Sequence, residues 1–193
     1  MRAAVFLDRD GTINEESGHI ADPARMRLLP GAAQAVKMLN RRGIPTILVT
    51  NQAGPARGLY AEETVLAVLA EMRRLLAREG AHLDAVYYCP HLPEAPVPAY
   101  ACSCSCRKPE PGLLLQAAGE HALDLRRSFM IGDQPSDIEA GARAGCRTIL
   151  VLTGHGARFW AERSLWRAPM PDHVAEDLPA AVAWILDRAP RLG

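Results

Sequence analysis

Residues 3–14 read AAVFLDRDGTIN, an apolar run that ends in two acidic residues and a glycine. The run over residues 3–7 predicts a buried strand, and Asp8 and Asp10 follow it directly. Ligands of open parallel sheets bind at the carboxyl ends of the strands, so we expect both carboxylates in a site. Residues two positions apart on a strand share a face, and a turn begun by Gly11 can fold Asp10 over the same cavity. Such a pair of carboxylates suits a hard cation such as Mg²⁺.

Further apolar runs alternate along the chain with segments of helical period, a pattern typical of a parallel sheet with crossover helices. The other predicted strands are 45–50, 85–89, 128–132 and 148–152, and the predicted helices are 31–42, 61–78, 111–122 and 136–144. Ser136 is the predicted N-cap of the last of these helices. Residues 173–188 predict one more short strand and then a helix. We expect an α/β fold: a three-layer, Rossmann-like parallel sheet with helices on both faces, forming a single domain over residues 1–193.

The composition excludes several classes of function. The chain has 193 residues, with 22 Lys and Arg against 22 Asp and Glu, so its zero net charge gives no basis for binding nucleic acid or an anionic membrane. Only 5% of the residues are aromatic, which also disfavours the stacking surface of a nucleic-acid enzyme. The apolar runs, such as residues 44–49, are too short to span a bilayer, and the N-terminal residues do not resemble a signal peptide. We therefore expect a cytoplasmic protein that is a monomer.

Three further segments place polar side chains where the acid pair lies. They supply hydroxyl and amide donors after the second strand, two acids after the fourth, and positive charge before the third helix. In that order the residues are Thr50, Asn51 and Gln52; Asp133 and Asp137; and Arg107 and Lys108. Taken singly, each has a plainer interpretation as a turn residue, a helix cap or a solvated charge, and an isolated acid pair is more often a solvated strand end. Their combination indicates one site for a cation and a phosphoryl group.

Residues 90–111 contain six prolines and little apolar periodicity, and so long a segment without regular structure needs something else to order it. Metal is a strong candidate, because a C-x-H pair and a C-x-C pair lie at its two ends. Together they form a ligand set suited to a tetrahedral, structural zinc ion. The predicted zinc ligands are Cys89, His91, Cys104 and Cys106, in a loop over about residues 89–107. Cys102 could replace one of these ligands or be a spare thiol, and a group of unligated thiols is the alternative.

The chain resembles the haloacid dehalogenase superfamily of phosphohydrolases over roughly residues 4–155. Its four motifs match Asp8-Arg9-Asp10-Gly11-Thr12, Thr50, Lys108 and the segment from Asp133 to Asp137. The resemblance implies that Asp8 attacks phosphorus to form an aspartyl-phosphate. Asp10 would protonate the leaving oxygen and then deprotonate the water that hydrolyses the intermediate.

The same resemblance implies the cofactor and the residues around it. Mg²⁺ would be held by Asp8, Asp133 and the backbone carbonyl of Asp10, with Asp137 in a supporting role. Thr50 and Lys108 would neutralise the phosphoryl oxygens. The further implied substrate-binding residues are Asn51, Gln52, Arg107 and His19.

The cysteine and histidine pattern is similar to that of the superfamily branch without a large cap domain. The resemblance implies a small phosphorylated sugar or similar metabolite as substrate, with removal of the 7-phosphate of a heptose 1,7-bisphosphate as the leading activity. That reaction feeds the synthesis of lipopolysaccharide or a related surface glycan, whereas hydrolysis of histidinol phosphate is the alternative. A non-catalytic, zinc-stabilised binding module would lack the nucleophile or the metal-binding acid, and both Asp8 and Asp133 are present.

Overall fold

The computed structural model describes residues 1–167 and 169–188. A parallel sheet of six strands, in the order β3-β2-β1-β4-β5-β6, forms the centre of this part of the chain. The strands are β1 (Val5–Leu7), β2 (Thr46–Asn51), β3 (Ala85–Cys89), β4 (Phe129–Gly132), β5 (Arg147–Val151) and β6 (His173–Ala175). Leu7 pairs with Leu48 on one side and with Ile131 on the other, so three neighbouring strands end at one edge of the sheet.

Helices cover both faces of this sheet, as the sequence predicts. They are α1 (Ala32–Arg41), α2 (Glu62–Arg78), α3 (Gly112–His121), α4 (Pro135–Ala144), α5 (Gly156–Ala161) and α6 (Leu178–Arg188). Strand residues alternate between two apolar layers, since successive side chains point to opposite faces. Leu7 and Ile131 pack with residues of α1, α2 and α6, whereas Phe6 and Met130 pack with residues of α3 and α4. The predicted Rossmann-like, three-layer architecture is confirmed.

The start of α4 differs from the prediction. Ser136 is not the N-cap; the helix begins at Pro135, and Gln134 is the N-cap. The Gln134 side chain accepts a hydrogen bond from the backbone of Asp137, and the Asp137 carboxylate accepts one from the backbone N–H of Gln134. This reciprocal capping box satisfies two otherwise unpaired amides, which explains why the helix begins one residue before Ser136.

The remaining differences are small and concern parts of the chain that lack periodicity. Helix α5 and four single turns of 3₁₀ helix are not predicted. Within residues 90–111 the regular structure is limited to the 3₁₀ turn Pro98–Tyr100. Helix α3 begins directly after this segment, at Gly112. In the ranges that the structure describes, no helix is both long enough and apolar enough to cross a membrane.

Candidate active site

A cavity of about 400 Å³ opens at the edge of the sheet where β1, β2 and β4 end. Most of the predicted site residues line it: Asp8, Asp10, His19, Thr50, Asn51, Gln52, Arg107, Lys108 and Asp137. Asp133 lies beneath them and is fully buried. The cavity is also lined by Glu16 and Arg57, which lie in loops that the resemblance places around the substrate, and by Gln134 and His155, which are not among the predicted site residues. The structure thus brings the four predicted segments to one place.

Lys108 is buried at the centre of the site and joins two of its acids. Its Nζ donates to Oδ1 of Asp8 at 2.6 Å and to the backbone carbonyl of Val49 at 2.9 Å, and it lies 2.6 Å from Oδ1 of Asp137. These contacts use all three N–H groups of the ammonium. A phosphoryl group in the cavity would therefore meet the positive charge of Lys108 rather than a free donor.

The acids of the site are crowded and short of positive charge. Asp8, Asp133 and Asp137 place carboxylate oxygens within 4.8 Å of one another. Burial raises the pKa of Asp8 to about 7, against the lowering effect of Lys108, and repulsion from Asp137 adds to the rise. Burial and the charge of Asp8 likewise raise the pKa of Asp133 to about 8. When all three carboxylates are ionised, they and the one ammonium leave two negative charges, which a divalent cation would balance.

The free oxygen atoms of this cluster are the ones that a cation needs. Oδ1 of Asp133 is buried and has no hydrogen-bond partner among the described residues. Lys108 contacts Oδ1 of Asp8, and no described residue donates a hydrogen bond to its Oδ2. Both oxygens of Asp137 are engaged, one by Lys108 and one by the backbone N–H of Gln134. The donor set fits Mg²⁺ bound by Asp8 and Asp133, with Asp137 as their support.

The loop after β5 orients Asp133, a role that the sequence analysis missed. The backbone N–H of His155 donates to Oδ2 of Asp133 at 2.8 Å, and the hydroxyl of Thr153 donates to the carbonyl of Gly11 at 2.6 Å. A Cβ on Gly154 would lie 2.3 Å from Asp133 Oδ2 and 2.5 Å from Gly11 Cα. Two glycines thus let this loop and the turn after β1 approach each other over the acid. Gly11 follows β1 and Gly154 follows β5, and glycines in such positions are the sequence signal that could have indicated this close approach.

Asp10 lies beside a buried arginine. Arg9 Nε lies 3.0 Å from Oδ1 of Asp10, and Nη2 lies 2.6 Å from Oδ2. Asn14 donates to Oδ1 at 2.9 Å, and Gln52 donates to Oδ2 at 3.1 Å. The predicted acid–base residue is therefore held in one orientation by three side chains. Neither Arg9 nor Asn14 is among the predicted site residues, although the position of a cationic residue between two acids could have identified Arg9.

The amides after β2 have partners within the protein. Gln52 Nε2 also donates to the hydroxyl of Thr50 at 2.9 Å. The side chain of Asn51 makes two hydrogen bonds to the backbone of Lys108, from Nδ2 to the carbonyl at 2.9 Å and from the N–H to Oδ1 at 3.0 Å. Asn51 therefore fixes the loop that delivers Lys108. Gln52 links Thr50 to Asp10.

Two predicted substrate-binding residues lie toward the mouth of the cavity. The guanidinium of Arg107 is half-buried and donates from Nη1 to the carbonyl of His91 at 2.9 Å. His19 is exposed, and its ring lies edge-on to that of Tyr60 at 6.5 Å. Arg57 reaches the same cavity from the loop after β2. The inner part of the cavity thus holds the acid cluster, and the outer part holds cationic side chains.

A second cluster lies outside the cavity, at the end of β3. Its members are the four predicted zinc ligands, Cys89, His91, Cys104 and Cys106, whose donor atoms lie within 4.8 Å of one another. The Sγ of Cys106 lies 2.9 Å from that of Cys89, 3.1 Å from that of Cys104 and 3.4 Å from Nδ1 of His91. Three sulfurs and one imidazole nitrogen around a point match the donor set of a structural zinc site.

The thiols of this second cluster are not disulfide-bonded. Burial raises the pKa of Cys104, but hydrogen bonds from Cys106 and Cys89 outweigh it and lower that pKa to about 7, which favours a thiolate. Cys102 is exposed and lies outside the group. Of the two interpretations left open for Cys102, the structure supports the spare thiol.

Comparison with known proteins adds independent information. The family profile described as "Haloacid dehalogenase-like hydrolase" matches residues 5–68, and the profile described as "HAD-hyrolase-like" matches residues 105–181. The chain is 50% identical to the D-glycero-D-manno-heptose-1,7-bisphosphate 7-phosphatase of Thermosynechococcus vestitus, over 98% of this chain and 99% of that protein. It is 42% identical to the D-glycero-beta-D-manno-heptose-1,7-bisphosphate 7-phosphatase of Photorhabdus laumondii, over 94% and 96% of the two chains.

Solved structures show the same similarity. The D,D-heptose 1,7-bisphosphate phosphatase of B. bronchiseptica, crystallised with magnesium and phosphate, superposes with a TM-score of 0.87 and 36% identity, covering 97% of this chain and 99% of that one. The corresponding phosphatase of Burkholderia thailandensis superposes with a TM-score of 0.71 and 30% identity, covering 96% and 99%. Both matches extend over nearly the whole chain.

Proposed function

The chain belongs to the haloacid dehalogenase-like hydrolase family, and from this we propose that it is a Mg²⁺-dependent phosphatase that removes the 7-phosphate of D-glycero-D-manno-heptose 1,7-bisphosphate. The observation that carries the proposal is the geometry of Asp8. Lys108 holds one oxygen of this carboxylate, and the other makes no hydrogen bond to a described residue. A carboxylate fixed in this way, at the edge of the sheet and beside Asp10, is a nucleophile with a neighbouring acid and base.

In the first step the carboxylate of Asp8 attacks phosphorus in line through one of its oxygens, and the bond to the leaving sugar oxygen breaks. Asp10 gives its proton to that oxygen, which leaves as an alcohol. In the second step Asp10 removes a proton from water, and the water attacks the aspartyl-phosphate to release phosphate and restore Asp8. Arg9, Asn14 and Gln52 keep Asp10 in one orientation during both steps.

The remaining residues of the site balance the negative charge of the phosphoryl group or hold other side chains in position. Mg²⁺ bound by Asp8, Asp133 and the backbone carbonyl of Asp10 would offset the repulsion between an anionic nucleophile and an anionic ester. Lys108 and Thr50 face the transferred phosphoryl group from the cavity wall. Asp137 holds Lys108, and the backbone N–H of His155 holds Asp133, so neither of these two side chains has to be oriented by the substrate.

The outer cavity supports a substrate with a second anionic group. Arg107 and Arg57 line it, and both carry a fixed positive charge. Glu16 also lies there and would suit a cationic substrate such as histidinol phosphate, but it is one acid against two arginines. The cationic excess favours a bisphosphate.

The proposal extends to zinc, location and assembly. We propose that a structural zinc ion bound by the second cluster pins the loop that precedes Arg107 and Lys108. Five free thiols are consistent with a reducing compartment, and we propose the cytoplasm. We also propose that residues 1–193 act as one domain and as a monomer, which sedimentation analysis would test.

Phosphate release with Mg²⁺ from D-glycero-D-manno-heptose 1,7-bisphosphate and from histidinol phosphate tests the proposed substrate. The Asp8→Asn variant serves as the blank for both assays. We expect a preference in kcat/KM of about a hundredfold or more for the heptose, which corresponds to ~2.7 kcal/mol in transition-state binding. A preference for histidinol phosphate would contradict the proposed substrate but not the mechanism, and no turnover of either would contradict both.

A further inference from the structure

Glu62, the first residue of α2, accepts hydrogen bonds from two tyrosines at once. The hydroxyl of Tyr88 donates to Oε1 at 2.7 Å, and the hydroxyl of Tyr100 donates to Oε2 at 2.9 Å. Tyr88 lies in β3, directly before Cys89, and Tyr100 ends the 3₁₀ turn in the middle of the proposed zinc loop. One carboxylate thus joins a helix, a strand and a loop.

The contacts continue from Tyr100 to the cavity. The backbone carbonyl of Tyr100 accepts a hydrogen bond from the N–H of Leu92 at 3.1 Å. The neighbouring carbonyl of His91 accepts the hydrogen bond from Arg107 at 2.9 Å. The position of residues 91 and 92 therefore determines where the guanidinium of Arg107 lies, and Tyr100 is one of the groups that hold those residues.

The two tyrosine hydroxyls remain donors throughout the neutral pH range. Burial, together with the bond to Glu62, raises the pKa of Tyr88 to about 12. The bond to Glu62 is the largest cause of the raised pKa of Tyr100. A bond from a neutral hydroxyl to a carboxylate is stronger than one between neutral groups. Glu62 also lies in the first turn of α2, where the helix dipole favours a negative charge.

We infer that Glu62 is a positioning residue: through Tyr100 and Leu92 it holds the proposed zinc loop in the place from which the His91 carbonyl fixes Arg107 in the cavity. The cysteine cluster secures the two ends of this loop, and Glu62 secures its middle. The inference rests on the proposed function in one respect, that Arg107 meets the part of the substrate away from the scissile phosphate. Its effect should therefore depend on the substrate.

The chain offers a matched control for each test variant. Glu62→Gln is compared with Glu63→Gln, because Glu63 is the next residue along, is exposed, and makes no hydrogen bond among the described residues. Tyr100→Phe is compared with Tyr87→Phe, because Tyr87 donates to Glu120 instead of Glu62. Each control removes the same chemical group from a nearby position and leaves the two hydrogen bonds to Glu62 in place.

Amide hydrogen–deuterium exchange of the full-length protein tests the clamp without any substrate. We expect exchange in residues 91–101 to be about tenfold faster in Glu62→Gln and in Tyr100→Phe, as the loss of one charge-assisted hydrogen bond implies. The two controls should exchange at the wild-type rate. Equal rates in the test variants and their controls would overturn the inference.

Steady-state kinetics test the link to Arg107. For heptose 1,7-bisphosphate we expect KM to rise about fivefold in both test variants, with kcat within about twofold of the wild type. For p-nitrophenyl phosphate, which has no second anionic group, KM should not change. An equal change for both substrates would show a general loss of structure and would overturn the inference. If the wild type does not hydrolyse the bisphosphate, the proposed function fails, and the exchange rates by themselves decide whether the clamp exists.

Discussion

Nζ of Lys108 lies 2.6 Å from Oδ1 of Asp8, although the two residues are 100 positions apart in the chain. The contact leaves Asp8 with one oxygen directed by the lysine and one without a hydrogen bond. It also places a buried cation within the acid cluster, and Asp137 and Asp8 raise the pKa of Lys108 above its ordinary value despite its burial. The nucleophile of this site is thus oriented before any substrate arrives.

Replacement of the nucleophile Asp8 should change the rate of catalysis without lowering the stability of the fold. Asp8→Asn keeps the shape of the side chain but removes the attacking carboxylate, so we expect kcat to fall at least ~10³-fold. The urea midpoint of the metal-free protein should not fall, because the variant also removes one of three crowded negative charges. Phosphate release and urea unfolding measure the two effects. Asp187→Asn, at an exposed position, is the control, and substantial turnover by Asp8→Asn would contradict the mechanism.

The acid cluster makes the stability of the Mg²⁺-free protein depend on pH. The pKa values of Asp8 and Asp133 are raised to about 7 and about 8, so the folded protein binds protons that the unfolded chain has released. Stability then falls as the pH rises from ~4 to ~8, by up to a few kcal/mol. Urea unfolding at a series of pH values without added Mg²⁺ measures this fall.

Two comparisons assign this pH dependence to the cluster. Millimolar Mg²⁺ should reduce the fall, because the cation competes with protons for the same carboxylates. Asp133→Asn should reduce it without Mg²⁺, because one of the two titrating groups is gone. An identical pH dependence with and without Mg²⁺ would show that the cluster does not bind the ion.

The approach of Gly154 to Asp133 predicts a variant with damaged metal binding. Gly154 has φ +55°, and an added Cβ would collide with Asp133 Oδ2 and the backbone of Gly11. We expect Gly154→Ala to lower Mg²⁺ affinity and to reduce kcat/KM by about 100-fold or more. Gly43→Ala is the control, since Gly43 has φ +65° with open space around it and should lose only ~1 kcal/mol of stability. Magnesium titration of activity measures the difference, and equal effects of the two substitutions would refute the steric explanation.

The second cluster, formed by three cysteines and His91, predicts that the protein binds one zinc ion per chain. Cys106→Ser removes a central ligand, so we expect loss of the zinc and of several kcal/mol of stability. Cys102→Ser changes a thiol outside the cluster and should keep both. Elemental analysis and thermal unfolding of the purified proteins measure the outcome. Retention of zinc by Cys106→Ser, or its loss from Cys102→Ser, would show that the ligands are assigned incorrectly.

Part of the site follows from topology and could be predicted from the sequence. Asp8 follows β1, Thr50 lies in β2 and Asp133 follows β4, and these strands are neighbours in the sheet. Parallel strands that end in register must bring such residues together, whatever the connections between them. The apolar runs were enough to locate these strands to within two residues at each end.

The contacts that orient the side chains within the site could not be predicted from the order of the strands. Lys108 lies in a loop, and its backbone donates one hydrogen bond to the side chain of Asn51 and accepts one from it, although Asn51 is predicted from the sequence to bind substrate. The close approach of Gly154 to Gly11 depends on the absence of side chains, which gives no periodic signal. Residue type favours Ser136 as the N-cap, because serine is common at that position, whereas the reciprocal bonds between Gln134 and Asp137 cannot be recognised from residue type.

The double engagement of Asp137 limits how this active site could be transplanted. One of its oxygens caps α4 and the other holds Lys108, so the lysine is anchored to the first turn of a helix. A designer who grafts Asp8, Lys108 and Asp133 onto another scaffold must also graft a helix that begins at the same point. Without that helix the grafted lysine has lost an anchor, and the copied site would have the right residues in the wrong arrangement.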